Sequence, residues 1–177
     1  MRLRVCHAGR VDAPGMLRSG QLDLAFGVFN NLTADLRSQP LLEERYLCAV
    51  AAESTMPAPA TEAEYLARDH VNVLVQGDVL GLIDEALARR GLARSIAVTV
   101  AHFSTALVLL PDTEMVYTGP AGLFAPAVVG ASRIRTFPPP VELPPFRTQM
   151  AWSQRTHEDE GLRWLRDCIG DSLRSDA

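Results

Sequence analysis

The stretch LRSGQLDLAFG, residues 17–27, joins the end of a helix to a strand through a short turn. Residues 11–18 predict a brief helix, and Gly20 lies at the position where a glycine in the left-handed conformation often ends a helix. Residues 22–27 then predict a strand that ends at Gly27. A helix and a strand in such close succession indicate an α/β fold.

The rest of the chain repeats this alternation of short apolar runs and amphipathic stretches. Strands are predicted at residues 3–6, 46–52, 71–75, 96–100, 115–118, 134–137 and 147–152. Helices are predicted at residues 61–68, 79–90 and 104–110, and a last helix opens at Thr156, where Thr156 and Asp159 have capping-box spacing. This order favours an α/β fold built on parallel strands, with Gly119 and Pro120 turning the chain after residue 118.

The length and composition are those of an ordinary globular protein. The chain has 177 residues, of which 47% are hydrophobic and 21% are charged, enough for one domain or two small lobes. Cys6, Cys48 and Cys168 lie far apart in apolar runs, so they are predicted to be small buried residues in a reducing compartment. No export signal opens the chain, and glycines and prolines interrupt the uncharged residues 115–132, so no membrane helix is expected. The predicted compartment is the cytoplasm.

The charge of the chain argues against nucleic-acid binding by these residues. The formal net charge is −4, and the 17 basic residues are all arginines, which are scattered along the sequence. A protein that holds a phosphate backbone needs a clustered basic face. We therefore expect no direct contact between this chain and DNA.

No arrangement of residues predicts catalysis. The chain has no G-x-S-x-G, no H-E-x-x-H and no glycine-rich phosphate loop. Its four histidines lack metal-ligand spacing, and Cys6 and His7 would point to opposite faces of a strand. We therefore expect no enzyme, no cofactor and no metal site, and His157 is expected on a solvated helix face.

Four segments in this order resemble the effector-binding domain of LysR-type transcriptional regulators, in particular the branch that senses aromatic compounds and nodulation flavonoids. Residues 17–27 are similar to the family's run L-x-x-G-x-[LI]-D-[LI]-A-[ILF]-G. Residues 40–50 resemble the segment that crosses toward the second lobe, and residues 137–146 resemble the proline-rich return. Residues 152–155 followed by 162–166 resemble the ending of that branch, and the likeness covers about residues 2–169.

The resemblance implies an α/β fold of two Rossmann-like lobes with a double crossover, the type 2 periplasmic-binding-protein-like fold. Lobe I would comprise about residues 1–67 plus 146–177, and lobe II about residues 68–145. By this resemblance we also expect that the N-terminal strand and helix of the usual domain, and the DNA-binding helix-turn-helix domain, are missing from these residues.

The resemblance also implies a function. The chain would be the small-molecule effector-sensing domain of a LysR-type transcription regulator, with the ligand bound in the cleft between lobes. It would pair as a homodimer and would reach DNA only through the absent helix-turn-helix domain. Two alternatives stay open, namely a stand-alone solute-binding protein and, less favoured, an enzyme on the same fold.

Loops at the carboxyl ends of strands line the ligand cleft in such folds. Four loops qualify, and they supply the predicted ligand-binding residues Gly27, Phe29, Gln76, Gly77, Asp78, His102, Phe103, Ser104 and Thr118. Asp78 could instead cap the following helix, and His102 could bond only to the backbone. Phe29 and Phe103 could stack on an aromatic ligand or simply pack. No arginine lies in these loops, so a neutral or weakly anionic aromatic effector is predicted.

Overall fold

The computed structural model describes residues 2–30, 32–74 and 80–175. The helices are α1 (Ala13–Ser19), α2 (Glu62–Ala67), α3 (Leu82–Arg89), α4 (Phe103–Leu109), α5 (Pro126–Ala131) and α6 (Glu160–Ser175). The strands are β1 (Ala25–Gly27), β2 (Leu36–Glu44), β3 (Tyr46–Ala51), β4 (Asp69–Val73), β5 (Ser95–Val100), β6 (Val116–Pro120), β7 (Ile134–Phe137) and β8 (Phe146–Ser153). Short 3-10 turns occur at Ala121–Phe124 and Gln154–Thr156.

The chain folds as two compact units, each with its own sheet. Unit 1 comprises Met1–Glu43 and Phe146–Ala177, and unit 2 comprises Glu44–Pro145. The sequence suggested a first crossing between lobes near residue 67, whereas the structure assigns residues 44–67 to unit 2. The difference arises because β3 pairs with β6 and β7, which belong to the unit 2 sheet.

Unit 1 contains a three-stranded sheet in the order β1-β8-β2. β1 runs antiparallel to β8, with Phe26 opposite Met150. The predicted first helix forms as α1, which is followed by Gly20 in the left-handed conformation with a φ of 76°. The helix and the sheet enclose a small core made of Ala13, Leu17, Ala25, Phe29, Leu36 and Ala151.

The strand predicted at residues 3–6 is wrong. Residues 2–9 form neither helix nor strand, and the side chains of Leu3 and Val5 are 66% and 93% exposed. An alternating run becomes a strand only where a neighbouring strand accepts its backbone hydrogen bonds. Within the described residues, the unit 1 sheet consists of β1, β8 and β2, and none of these strands pairs with residues 3–6. Cys6 is consequently exposed rather than buried.

The last helix begins later than predicted. Thr156 ends a 3-10 turn, and the Asp159 carboxylate caps α6 by accepting a hydrogen bond from the Leu162 N–H at 2.8 Å. His157 does not lie on a fully solvated face, because its ring stacks on Trp152 and its Nδ1 accepts a hydrogen bond from the Trp152 Nε1–H. The inward face of α6 carries Arg166, whose guanidinium carbon lies 4.6 Å from the Trp152 ring centroid. Cys168 is exposed.

Unit 2 contains a mixed five-stranded sheet in the order β5-β4-β6-β3-β7. β4 runs parallel to β5 and β6, whereas β3 runs antiparallel to β6 and β7. The predicted parallel pairing therefore holds for only part of the sheet. The turn predicted at Gly119 and Pro120 is wrong, because both residues stay in β6 opposite Leu47 and Tyr46 of β3.

Apolar residues cover both faces of the unit 2 sheet. On one face α4 and the residues after β6 bury a cluster that includes Val71, Leu110 and Tyr117. On the other face α2 and α3 bury Cys48, as predicted for this thiol, together with Tyr65. This sheet therefore has a core on each side and needs no metal or disulfide to hold it.

The first turn of α2 has the hydrogen bonds of the capping box that its sequence predicts. The Thr61 side chain accepts a hydrogen bond from the Glu64 N–H, and the Glu64 carboxylate accepts one from the Thr61 N–H. Hydrogen bonds from the backbone to Glu64 lower the pKa of its carboxyl. The start of this helix could therefore be located from four consecutive residues.

Candidate ligand-binding site

Three strand ends meet at one edge of the unit 2 sheet. Because β4 is parallel to both β5 and β6, the carboxyl ends of all three strands lie at the same edge. The N–H of Leu74, directly after β4, donates to the carbonyl of Val100 at the end of β5, at 2.9 Å. We call residues 74, 101–105 and 119–121 the carboxyl edge of unit 2. Loops at such an edge are the usual ligand-binding positions of α/β sheets.

His102, Phe103 and Ser104 lie at the carboxyl edge of unit 2, where α4 begins. His102 is the N-cap residue, and its carbonyl accepts a hydrogen bond from the N–H of Thr105 at 3.2 Å. No side chain caps this first turn. The Phe103 side chain is 45% exposed, and Ser104 is exposed. An aromatic ring that is half in solvent beside a strand end can stack on a flat ligand.

Thr118 lies one residue before the carboxyl edge, and its side chain points into unit 2. Its hydroxyl oxygen is 2.8 Å from the Tyr65 hydroxyl oxygen and 3.2 Å from Cys48 Sγ, and the residue is buried. The side chain of Thr118 is thus engaged in the interior. The next residue is Gly119, where a Cβ would overlap the Tyr117 hydroxyl, so this position requires a glycine.

Gly27 and Phe29 belong to unit 1. Gly27 ends β1, and an added Cβ there would lie 3.3 Å from the Phe29 ring, so the ring packs directly on the glycine. Phe29 is buried in the unit 1 core, and its carbonyl accepts a hydrogen bond from Gln149 Nε2 at 3.0 Å. In this arrangement Phe29 has the packing role that the sequence left open as an alternative.

Gln76, Gly77 and Asp78, the remaining predicted contacts, lie outside the described residues. The helix that follows them is α3, which begins at Leu82 rather than at residue 79 as the sequence predicted. Its N-cap residue is Gly81, which has no side chain that could cap the first turn. The first turn of α3 does carry Asp84, which has a partner that the sequence did not reveal.

A buried polar cluster lies on the α2 and α3 face of the unit 2 sheet, and sequence reasoning missed it. Its members are Cys48, Tyr65, His70, Asn72, Asp84, Arg94 and Thr118. The Arg94 Nε and Nη2 donate to the two carboxylate oxygens of Asp84 at 2.7 and 3.0 Å, and Nη2 also donates to Asn72 Oδ1 at 3.2 Å. In the sequence, Arg94 is a single arginine directly before the apolar strand β5, and this was the one sign of a buried charge. Only the fold shows that its acidic partner is Asp84.

Burial changes the pKa of several groups in the polar cluster. It raises the pKa of the Cys48 thiol and of the Tyr65 hydroxyl, each to about 12, although a hydrogen bond to Thr118 and the Arg94 charge oppose the shift. Burial also lowers the pKa of His70 to about 4, although the hydrogen bond from its Nε2 to the Tyr65 carbonyl opposes this. Near neutral pH these three groups are uncharged, and the polar cluster carries its charges on Arg94 and Asp84.

In the part of the chain that the structure describes, no three His, Cys, Asp or Glu side chains come close enough together to hold a metal ion. In the same ranges no helix combines the length and apolar character needed to cross a membrane.

The sequence of unit 1 and unit 2 together matches one known family. Residues 1–174 match the family model described as the LysR substrate binding domain. The chain belongs to the LysR substrate-binding domain family. It is similar to the HTH-type transcriptional activator NahR of Pseudomonas putida, with 30% identity over 156 residues that cover 88% of this chain and 52% of NahR. It is also similar to the HTH-type transcriptional regulator SyrM of Rhizobium meliloti (strain 1021), with 30% identity over 158 residues, covering 87% of this chain and 48% of SyrM.

Among solved structures, this LysR substrate-binding domain is similar to the regulatory domain of MexT, a transcriptional activator in Pseudomonas aeruginosa. The TM-score is 0.75 and the identity 29%, covering 92% of this chain and 80% of that one. The predicted family and fold class are thus confirmed, and the relatives are regulators rather than enzymes. The chain spans about half the length of the curated relatives it matches.

Proposed function

We propose that this LysR substrate-binding domain senses a neutral or weakly anionic aromatic effector for a transcription regulator, and that the carboxyl edge of unit 2 contacts the effector. The observation that carries the proposal is the composition of that edge. It presents the exposed ring of Phe103 beside His102 and Ser104, and residues 74, 101–105 and 119–121 include no Asp, Glu, Lys or Arg. An apolar wall with a few polar groups suits a flat, weakly polar ligand.

Two arginines that already hold carboxylate partners, Arg94 and Arg147, support a weakly charged effector. A ligand carboxylate normally recruits an arginine in a bidentate pair. Arg94 already forms such a pair with Asp84 inside unit 2. Arg147 of unit 1 is an exposed side chain whose Nε donates to Glu43 at 2.8 Å. A strongly anionic effector would have to compete with these carboxylates.

The remaining parts of the function concern the whole regulator. DNA would be contacted by a helix-turn-helix domain outside this sequence, and the regulator would act as a homodimer in the cytoplasm. The net charge of −4 supports the view that this part of the protein does not itself hold DNA. NahR is an HTH-type transcriptional activator of which the match covers 52%, and this supports the same division between a ligand-binding part and a DNA-binding part.

A thermal-unfolding screen tests the proposed effector class. The chain would be melted with hydroxylated aromatics, aromatic acids, amino acids, sugars and dicarboxylates. A ligand at about 100 times its dissociation constant adds about 2.7 kcal/mol, which raises the melting temperature by roughly 5 to 11 °C in a chain of this length. We expect such a shift from aromatic compounds alone. A shift confined to sugars or dicarboxylates would contradict the proposal.

Substitution of Phe103 tests the carboxyl edge itself. In Phe103→Ala, loss of stacking should raise the dissociation constant of an aromatic effector by about threefold to tenfold. Val108→Ala is the matched control, because Val108 is an exposed apolar residue of the same helix, α4. Equal affinity for both variants, measured by calorimetric titration, would show that Phe103 does not contact the effector.

A further inference from the structure

Arg94 is a buried cation that bridges two elements of unit 2. Its side chain is 1% exposed, and it contacts Asp84 in the first turn of α3 and Asn72 near the end of β4. A buried guanidinium is stabilised by the acceptors that receive its hydrogen bonds. The Asp84 carboxylate supplies two acceptors and the Asn72 amide oxygen a third, whereas Arg94 Nη1 has no hydrogen-bond partner among the described residues. The position of Arg94 therefore fixes α3 and β4 relative to each other.

The two acceptors lie directly beside the residue at which α3 begins. A Cβ added to Gly81 would lie 3.5 Å from Asp84 Oδ2 and 3.6 Å from Asn72 Oδ1. The same guanidinium thus holds the last part of β4 and the N-cap of the next helix. In the sheet, β4 lies between β5 and β6, whose ends form the rest of the carboxyl edge.

Arg94 also acts on the polar groups of the neighbouring strands. Val71 pairs with Tyr117, so the next residues, Asn72 and Thr118, are level on β4 and β6, and Thr118 pairs in turn with Cys48 on β3. These three polar side chains form a row across the α2 and α3 face of the sheet. The Tyr65 hydroxyl contacts Thr118 in this row, and the Arg94 charge acts against the burial that raises the pKa of Tyr65.

We propose that Arg94 is a positioning residue for effector binding. It contacts no ligand itself, but it fixes the start of α3 against Asn72 near the end of β4, and thereby the geometry of the carboxyl edge that continues from β4. The part of this proposal that concerns affinity rests on the proposed function. The part that concerns the position of α3 does not, so the two can fail separately.

The test uses Arg94→Lys, which keeps the charge but cannot make the bidentate pair with Asp84. Amide hydrogen exchange of the whole chain would be followed residue by residue by NMR. We expect the amide of Glu85, which donates to the Gly81 carbonyl in the first turn of α3, and the amides of residues 86 and 87 to exchange about tenfold faster or more than in the original chain. Arg90→Lys is the matched control, because Arg90 pairs with Glu62 in the same unit and is partly exposed.

A second variant separates positioning from general loss of stability. Leu110→Ala removes a buried side chain on the opposite face of the unit 2 sheet. Both variants would be measured at the same number of degrees below their own melting temperatures. In Leu110→Ala, amide exchange in the first turn of α3 should then be accelerated no more than amide exchange in the other helices. Equal acceleration in Leu110→Ala and Arg94→Lys, or no local acceleration in Arg94→Lys, would overturn the positioning role.

Effector affinity gives the readout that a purely structural role would not move. For an aromatic compound that shifts the melting temperature of the original chain, Arg94→Lys should raise the dissociation constant by about tenfold well below its melting temperature, since misplacement of contacts by a fraction of an ångström weakens binding. Leu110→Ala should leave it unchanged. Unchanged affinity in Arg94→Lys would overturn the claim. If no compound binds the original chain, the proposed function fails, while the exchange result still decides the positioning role.

Discussion

Units 1 and 2 differ in how completely their sheets are covered. The unit 2 sheet has five strands and a buried apolar cluster on each face. The unit 1 sheet has three strands and one small core, and the apolar residues Leu3, Val5 and Phe26 of this unit are exposed. The difference indicates that more of the unit 2 sheet is covered by buried apolar clusters, although both units leave large apolar side chains in solvent, such as Val5 in unit 1 and Val108 in unit 2.

The contrast extends to buried charge. In unit 2 the Arg94–Asp84 pair is buried against one face of the sheet, whereas in unit 1 the Arg147–Glu43 pair is mostly exposed. Exposed pairs contribute at most about 1 kcal/mol, whereas breaking a buried pair by removing one partner costs several times more.

The largest effect is expected from Asp84→Ala in unit 2. Removing this carboxylate leaves the buried Arg94 guanidinium unpaired, which should lower the free energy of unfolding by about 3–5 kcal/mol. Urea denaturation monitored by circular dichroism measures the loss. Arg147→Ala, which breaks the exposed pair of unit 1, is the control and should cost less than about 1 kcal/mol.

A double variant distinguishes an unpaired charge from lost packing. In Asp84→Leu with Arg94→Met, apolar side chains replace the whole pair, and most of the stability should return because no buried charge remains. If the double variant is as unstable as Asp84→Ala alone, the loss comes from packing at this position and not from the charge.

The next effect compares the two apolar cores directly. Leu110 in unit 2 and Leu17 in unit 1 are both fully buried. Leu110→Ala should lower the free energy of unfolding by about 3–5 kcal/mol, and Leu17→Ala by about 2–3 kcal/mol, because a thin core can collapse onto the space that the side chain leaves. Urea denaturation at neutral pH measures both. An equal or larger loss in Leu17→Ala would show that the unit 1 core is as tightly packed as that of unit 2.

The smallest of the three effects is a pH dependence that arises in unit 2. His70 has a folded pKa of about 4, below its usual value of 6.5, so between these values the unfolded chain binds a proton that the folded chain does not. The contribution of uncharged His70 to the free energy of unfolding is therefore complete above pH 6.5. As the pH falls toward 4, the free energy of unfolding decreases by up to about 3 kcal/mol.

Replacement of His70 tests this origin of acid sensitivity. In His70→Gln the free energy of unfolding should change less between pH 7 and pH 4.5 than in the original chain, as measured by urea denaturation at both pH values. His102→Gln is the control, which removes an exposed histidine and leaves His70 in place. If the free energy of unfolding of His70→Gln changes between the two pH values as much as that of the original chain, the acid sensitivity arises from other groups.

Much of the fold could be predicted because local sequence determines it. Gly20 after α1 and the Thr61–Glu64 capping box mark helix boundaries through short-range hydrogen bonds and backbone conformation. The apolar run 46–52 predicted β3 because a strand buried on both faces needs apolar residues at successive positions. These signals lie within a few residues of the feature they specify.

The remaining features depend on residues far apart in the chain. The pattern at residues 3–6 was that of a strand, but pairing is decided by a neighbour that the sequence does not name. The order β5-β4-β6 brings residues 102–104 and 119 to one edge, and only the register shows that Thr118 faces Tyr65. Arg94 meets Asp84 for the same reason, so the polar cluster could not be found from spacing.

The central claim is that an aromatic effector contacts the carboxyl edge of unit 2, and an NMR titration of the isotope-labelled chain tests it most directly. Aromatic compounds that raise the melting temperature would be added while amide chemical shifts are recorded. We predict that the largest shift changes in unit 2 occur at residues 101–105 and 119–121. Saturable changes confined to the opposite end of the unit 2 strands, around residues 52–57 and 112–115, would contradict the account.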